Sequence, residues 1–245
     1  MTLPTLARPP TGDNSRRIPG VSPLSPDCYI AAPMTPRNRP RPPIPKRLIV
    51  GISGASGVIL GVRLLQVLRA LDVETHLVMS KAAEQTLAFE TDWKGAMVRK
   101  LAHRSYHIND VSAPISSGSF RTLGMIVMPC SVKTMSEIAS GVSSNLLTRA
   151  ADVVLKERRK LVLAVRESPL HAIHLRNMTR LAEMDAIIAP PMPGFYSRPA
   201  TVADLVDHTV GRILDLFDLE AGLVKRWREA EAKAFAAVRA DENED

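Results

Sequence analysis

Short apolar runs alternate along the chain with longer segments that show helical periodicity. Five mainly apolar runs, each followed by Ser, Pro or Arg, predict strands at 48–52, 75–79, 124–128, 161–165 and 186–189. Helical spacing predicts helices after the first strand, over 81–90, 133–139, 146–158 and 171–184, and finally through Val202, Leu205, Val206, Val210, Ile213, Leu214 and Phe217. Such alternation is typical of a parallel sheet covered on both faces. We therefore predict an α/β fold, a Rossmann-like or flavodoxin-like three-layer sandwich.

The turn after the first strand predicts an anion site. Residues 51–57 read GISGASG and lie between a predicted strand and a predicted helix, where backbone N–H groups point at a ligand. Ser80 follows the second strand, where a dinucleotide fold usually places Asp or Glu to bind a ribose. A hydroxyl followed by Lys81 favours a mononucleotide such as a flavin.

Polar signals follow all five predicted strands, and strand ends of a parallel sheet meet at one edge. We expect them to form one crevice, supplied by Gly54-Ala55-Ser56, Ser80, Ser131 with its helix start, Arg166-Glu167 and Pro190-Pro191. Each signal alone is weak, because a serine at a strand end usually caps the next helix. Ser131 and Thr134 have that explanation too, and a phosphate or flavin contact at the same N–H groups is the alternative.

Several charged and aromatic residues have both a functional and a purely structural interpretation. Arg149 and Lys156 are seven apart on one helix face, although the run ending at Lys160 is also typical of a solvated helix end. Arg212 borders an apolar stripe and could simply extend to water. Tyr196, on a loop stiffened by Pro and Gly, is a ligand contact or a packing residue. Glu90 ends a helix where the dipole disfavours a carboxylate, which hints at a role.

Composition separates the first 46 residues from the rest of the chain. Residues 1–47 hold 12 of the 19 prolines and carry a net charge of +6 of the chain's +7, so the remainder is nearly neutral. This argues against nucleic-acid binding by the folded part. We predict a disordered extension over 1–46 and one domain over 47–245, with a transit peptide as the alternative for the extension. We expect a cytoplasmic protein without a membrane span.

Cysteine and histidine usage predicts neither disulfides nor a metal centre. Cys28 and Cys130 form no framework, and the six histidines show no spacing typical of metal ligands. We expect no bound metal.

From Arg47 to about Trp227 the chain resembles the UbiX-type flavin prenyltransferases, once described as aromatic-acid carboxy-lyases. The matching motifs, in the family's order, are GISGASG (51–57), HLVMSKAA (76–83), ETD (90–92), ISSGSF (115–120), PCSVKT (129–134), LLTRAADVVLKERR (146–159), VRESPLH (165–171), PPMPGFY (190–196) and RW (226–227). One departure is Val111, where some members carry Trp after Asn-Asp. Such a Trp would form an aromatic wall, so its absence points to a wider pocket.

The resemblance implies an FMN-binding homo-oligomer, typically a dodecamer. It implies that a dimethylallyl group from dimethylallyl phosphate is joined to N5 and C6 of reduced FMN, and that the product serves a UbiD-type decarboxylase. The implied flavin contacts are Gly54, Ala55, Ser56, Ser80, Ser131, Val132, Lys133, Thr134 and Arg166. The implied contacts to the prenyl donor, called the donor set below, are Arg149, Lys156, Tyr196 and Arg212. The implied catalytic residues are Ser56, Glu90, Lys156 and Glu167.

The chemistry fits this inventory without a metal. Lys, Arg and Tyr donors can stabilise the charge of a departing monophosphate, and ring closure then requires a base. Glu90, Glu167 and the released phosphate all remain candidates for that base. The alternatives are a flavin-dependent cysteine-type decarboxylase and a flavin carrier without chemistry. Pro191-Met-Pro193-Gly194 stands where the decarboxylases carry an Asn, which argues against the first.

Overall fold

A computed structural model describes residues 43–227, which form a single parallel sheet with helices on both faces. The strands are β1 (Arg47–Ile52), β2 (Glu74–Met79), β3 (Arg104–Tyr106), β4 (Gly124–Cys130), β5 (Lys160–Val165) and β6 (Ala186–Ile188). The helices are α1 (Val58–Ala70), α2 (Lys81–Glu90), α3 (Gly95–Arg99), α4 (Val132–Ala139), α5 (Leu146–Lys156), α6 (Ala172–Glu183) and α7 (Val202–Asp215). Short 3₁₀ turns lie at Pro114–Ser116 and Phe195–Ser197.

The sheet has the order β3-β2-β1-β4-β5-β6, and every neighbouring pair is parallel. The chain therefore winds outward from β1 in one direction and then returns to add β4 on the other side. This reversal between β1 and β4 is the position at which open α/β sheets bind ligands. The predicted three-layer α/β sandwich is confirmed.

Two apolar layers sandwich the sheet because successive strand residues point to opposite faces. On β1, Leu48, Val50 and Ile52 pack with α1 and α7, whereas Ile49 packs on the other face with α4 and α5. Continuous apolar strands are what this double burial requires. The sequence pattern therefore follows directly from a sheet with no face open to water.

A glycine brings α1 close to the sheet beside the reversal point. A Cβ at Gly61 would overlap the carbonyl oxygen of Met128 on β4, so only glycine permits this approach. The N-terminus of α1 is thereby held over the ends of β1 and β4.

All five predicted strands are confirmed within two residues, and the sixth strand was not predicted. The missed strand β3 is three residues long at the sheet edge, and two of its three residues are exposed. Most of the predicted 1–46 extension, namely residues 1–42, lies outside the described residues, so it stays a prediction. Among residues 43–227, no helix is both long and apolar enough to cross a membrane.

Candidate functional site

Residues that follow five strands, β1 to β5, surround one cavity of about 780 Å³, here called the strand-end cavity. Its lining includes all nine predicted flavin contacts: Gly54, Ala55, Ser56, Ser80, Ser131, Val132, Lys133, Thr134 and Arg166. The end of the sixth strand, at Pro190 and Pro191, does not line it, contrary to the prediction. The reason is topological, because β6 is an edge strand two positions away from β4.

Two helices begin at the cavity, and serines cap both. Ser80 Oγ accepts the N–H of Ala83 at 3.0 Å at the start of α2, and Ser131 Oγ accepts the N–H of Thr134 at 3.3 Å at the start of α4. Capping is therefore a real role of both hydroxyls. The first N–H groups of a helix lack intrahelical acceptors. At α4, those of Val132 and Lys133 stay available to an anion, since no acceptor for them lies among residues 43–227.

Ser53, which sequence reasoning missed, ties the two central loops together. Its buried Oγ donates to the carbonyl of Pro129 at 3.0 Å and accepts the N–H of Ser131 at 2.7 Å. The segments at the ends of β1 and β4 are thus joined next to the cavity-lining residues Gly54 and Ser131. Nothing in the sequence distinguishes this serine from the others in the turn.

The turn 54–57 is tightly packed against α2 and is fastened by Glu90. A Cβ at Gly54 would overlap Ala82, and Gly57 adopts a left-handed φ of 93°. Glu90 Oε2 accepts the N–H of Gly57 at 2.8 Å and of Val58 at 3.2 Å, which caps α1. The unfavourable position of Glu90 on its own helix is therefore offset by a favourable position on another. Its Oε1 makes no hydrogen bond within the described part of the chain.

Arg166 and Glu167 lie on the exposed end of β5 and both line the cavity. The guanidinium of Arg166 makes no hydrogen bond or ion pair with any residue between 43 and 227. Glu167 Oε1 accepts the N–H of Ser168 at 3.0 Å, which leaves its other oxygen to a ligand. Of the two predicted catalytic carboxylates, only Glu167 belongs to the cavity wall.

The donor set does not reach the strand-end cavity of its own chain. Arg149 and Lys156 lie on α5, where Arg149 Nε donates to the carbonyl of Ser116 at 3.3 Å. Lys156 instead lines a second cavity of about 750 Å³ at the opposite ends of β5 and β6. Arg212 lies on the last turn of α7 and pairs with Asp215. The sequence motifs gave no sign of this separation.

Tyr196 is packed edge-to-face between two aromatic side chains. Its ring lies 5.3 Å from that of His208 and 5.6 Å from that of Trp227, both nearly perpendicular. His208 is buried, and its Nδ1 has no partner within residues 43–227. Tyr196 therefore makes packing contacts in this chain while 44% of it stays exposed, and its contact with a ligand stays a prediction.

Further lining residues were not predicted: Lys81, Ala82, Ile108, Asn109, Glu137, Ser144, Asn145 and Leu147. Lys81 and Ala82 directly follow Ser80, so the helix start itself was the available signal. Asn145 caps α5 through the N–H groups of Leu147 and Thr148. Ile108 and Asn109 follow the unpredicted β3, so they could not be placed.

Cys130 is fully buried at the end of β4. Burial raises the pKa of its thiol to about 12, because the apolar surroundings disfavour a thiolate. It is therefore a packing residue at neutral pH rather than a nucleophile.

Comparison with known proteins points to one family. A sequence profile of the family described as Flavoprotein matches residues 37–222. The flavin prenyltransferase UbiX of Escherichia coli (strain K12) is 59% identical over 188 residues, which are 76% of this chain and 100% of that protein.

Two solved structures have the same fold. The crystal structure of AnUbiX (PadA1) in complex with FMN and dimethylallyl pyrophosphate is 54% identical with a TM-score of 0.74, covering 75% of this chain and 97% of the other. A dodecameric FMN-dependent UbiX-like decarboxylase from Escherichia coli O157:H7 is 55% identical with a TM-score of 0.73, covering 74% and 98%.

Proposed function

The chain belongs to the flavin prenyltransferases of the UbiX type within the flavoprotein family, and we propose that it joins a dimethylallyl group to N5 and C6 of reduced FMN. The observation that carries the proposal is the convergence of all nine predicted flavin contacts on one cavity at the reversal point of the sheet. The prenyl donor is dimethylallyl phosphate, and the product serves a UbiD-type decarboxylase.

The residues present fit a flavin mononucleotide. A cavity of about 780 Å³ is within the range of small-molecule sites. The available N–H groups at the start of α4 suit a phosphate or another anionic flavin group, and so does the guanidinium of Arg166, which has no partner within residues 43–227. The flavin, when bound, supplies the nucleophilic atoms that become alkylated.

The donor set binds the phosphate of the prenyl donor. Lys156, Arg149 and Arg212 offer positive charge and Tyr196 offers an O–H donor, which together stabilise the phosphate as it departs. Because these residues lie outside the strand-end cavity of their own chain, a neighbouring copy must bring them to it. A homo-oligomer, with the dodecamer as the expected form, is therefore part of the proposed site.

Exposed apolar side chains support such an assembly. Phe89 is 90% exposed, Met192 76%, Val202 75%, Phe195 70% and Trp227 69%. Phe89 adjoins Glu90, and Phe195 adjoins Tyr196, so large apolar surface borders both halves of the proposed site. Trp227 contacts Tyr196, so at least these two side chains expose apolar surface together, as is typical of protein–protein contacts.

Two carboxylates manage the proton that is lost during ring closure. Glu167 lines the cavity directly, and Glu90 holds the turn behind Ser56 while its Oε1 stays free to accept a proton. Ser56 lines the same cavity as Glu167, and its hydroxyl can relay a proton.

The test is anaerobic incubation of the protein with reduced FMN and a prenyl donor, followed by mass spectrometry of the flavin. We expect a flavin heavier by one dimethylallyl group with the monophosphate, and an unchanged rate in EDTA. Dimethylallyl pyrophosphate is the matched second donor. Flavin binding without any mass increase from either donor would instead support the carrier, and decarboxylation of a cysteine peptide would support the alternative enzyme.

A further inference from the structure

Each cation of the donor set is already paired with a nearby carboxylate. The pairs are Arg149 Nη1 with Asp152 Oδ2 at 2.8 Å, Lys156 Nζ with Glu157 Oε1 at 2.6 Å, and Arg212 Nη1 with Asp215 Oδ2 at 2.7 Å. Arg166, at the strand-end cavity, has no such partner within residues 43–227. The donor cations are therefore neutralised in advance. Arg166 is not, although Lys133, which also lines the strand-end cavity, pairs with Glu137 at 2.6 Å.

Two of these carboxylates occupy positions that helix electrostatics disfavours. Glu157 caps the C-terminus of α5, and Asp215 is the last residue of α7. The negative end of the helix dipole lies there, so neither acid is explained by capping. Their ion pairs offset this cost, and for Asp215 these include Arg226, which binds its two oxygens at 3.1 and 3.2 Å.

The Lys156–Glu157 pair is fixed in place by its surroundings. Arg159 Nη2 lies 3.9 Å from Glu157 and donates to the carbonyl of Gly118 at 2.6 Å. A Cβ at Gly118 would overlap the carboxylate of Glu157, so glycine leaves room for the pair. The adjacent Lys156 ammonium lowers the pKa of the Glu157 carboxyl, which therefore stays charged at neutral pH.

We propose that Asp152, Glu157 and Asp215 determine specificity for the prenyl donor by competing with its phosphate for Arg149, Lys156 and Arg212. The inference rests on the proposed function, because it takes these cations as the phosphate-binding groups. Partly exposed ion pairs are weak, so a dianion displaces the carboxylates whereas a singly charged anion does not. The same competition assists release of the phosphate product.

The direction in which phosphate affinity changes when a carboxylate is neutralised distinguishes competition from a purely positioning role. If the carboxylates compete, removing their charge tightens phosphate binding. If they only hold the cations in an extended orientation, removing their charge weakens it.

The experiment compares Glu157→Gln and Asp152→Asn with the unchanged full-length chain at constant ionic strength. Calorimetry with inorganic phosphate, with and without FMN, gives the affinity, and steady-state assays give KM for dimethylallyl phosphate. We expect phosphate binding two- to five-fold tighter in each variant, about the strength of a partly exposed ion pair, and a parallel fall in KM. Sodium chloride should also inhibit the variants more strongly.

Glu84→Gln is the matched control. Its partner Arg99 lies outside both sites, and the two side chains are 41% and 38% exposed, close to the 38% of Arg149 and of Asp152. It should leave phosphate affinity unchanged.

Lys156→Ala distinguishes a failure of the proposed role of Lys156 in phosphate binding from a failure of the competition proposal. If it does not weaken phosphate binding, the proposed placement of Lys156 is wrong. If it does, and both neutral variants bind phosphate no more tightly than the unchanged chain, the competition is overturned on its own.

Discussion

The strand-end cavity and the donor set differ in how much of each a single chain completes. The cavity is assembled from five strand ends, two of its loops are joined by Ser53, and its two helix starts are capped. The donor set is spread over α5, α7 and the turn at Tyr196, with every cation in an ion pair. A single chain therefore completes the strand-end cavity but does not bring the donor set to it, and under the proposed function assembly supplies that part of the site.

Among the variants that test this difference, Lys156→Ala should have the largest effect on activity. Losing one cation at a departing phosphate should lower kcat/KM by roughly 10²- to 10³-fold. The affinity for FMN should stay unchanged in a fluorescence titration, since Lys156 does not line the strand-end cavity. Exposed Lys94 provides the control, Lys94→Ala. If Lys156→Ala weakened FMN binding as strongly as it lowered kcat/KM, Lys156 would belong to the flavin site and the two sites would not be separate.

Glu90→Gln tests whether Glu90 takes up a proton during the reaction or only caps α1. The amide oxygen can still accept the N–H groups of Gly57 and Val58, but it cannot take up a proton. We expect kcat to fall roughly 10²-fold in single-turnover assays, with FMN and donor binding retained. A flavin alkylated only at N5 should accumulate.

The companion variant Glu90→Ala removes the cap as well. It should lower the free energy of unfolding by about 0.5–2 kcal/mol, measured by urea denaturation. If Glu90→Gln turned over at the normal rate, Glu90 would only cap α1, and Glu167 or phosphate would be the base.

Arg166→Ala is the reciprocal change on the flavin side. Removing this cation, which has no partner among residues 43–227, should weaken FMN binding by about 1.5–3 kcal/mol, or roughly 10- to 150-fold, in a fluorescence titration. The inorganic phosphate affinity of the donor set should change less. Arg158→Ala is the control, because Arg158 pairs with Asp185 at 3.7 Å far from the cavity lining. Undiminished FMN binding would contradict the assignment.

The smallest effect is expected from deleting residues 1–42. Their composition offers little apolar surface to bury, so the melting temperature and kcat should both stay unchanged. Lys46 must be kept, because its carbonyl accepts the N–H of Glu74 at 2.9 Å beside β1. A lower melting temperature would mean that the segment stabilises the domain.

Most of the fold could be predicted because a doubly covered parallel sheet needs continuous apolar strands. β3 could not, since Arg104, Ser105 and Tyr106 form no apolar run and take their conformation from pairing with β2. The cavity was predictable because strand ends of one sheet converge. Glu90 was noticed from its helix position, yet its partner α1 begins more than thirty residues earlier, a distance that local patterns do not span.

The separation of the donor set from the strand-end cavity could not be predicted from the sequence for a related reason. The seven-residue spacing predicted that Arg149 and Lys156 lie on one helix. It could not predict whether that helix faces the cavity of its own chain or that of a neighbouring copy. The edge-to-face packing of Tyr196 likewise depends on Trp227, thirty-one positions further along. Contacts of this kind arise only when distant segments meet.

The distance between Lys156 and the strand-end cavity of its own chain has a genetic consequence. Two alleles that are each inactive, one altered at Lys156 and the other at Arg166, should complement each other in a cell that expresses both. Mixed oligomers would place an intact cavity from one product beside an intact Lys156 from the other. About a quarter of the sites should recover when the two products mix at random in equal amounts.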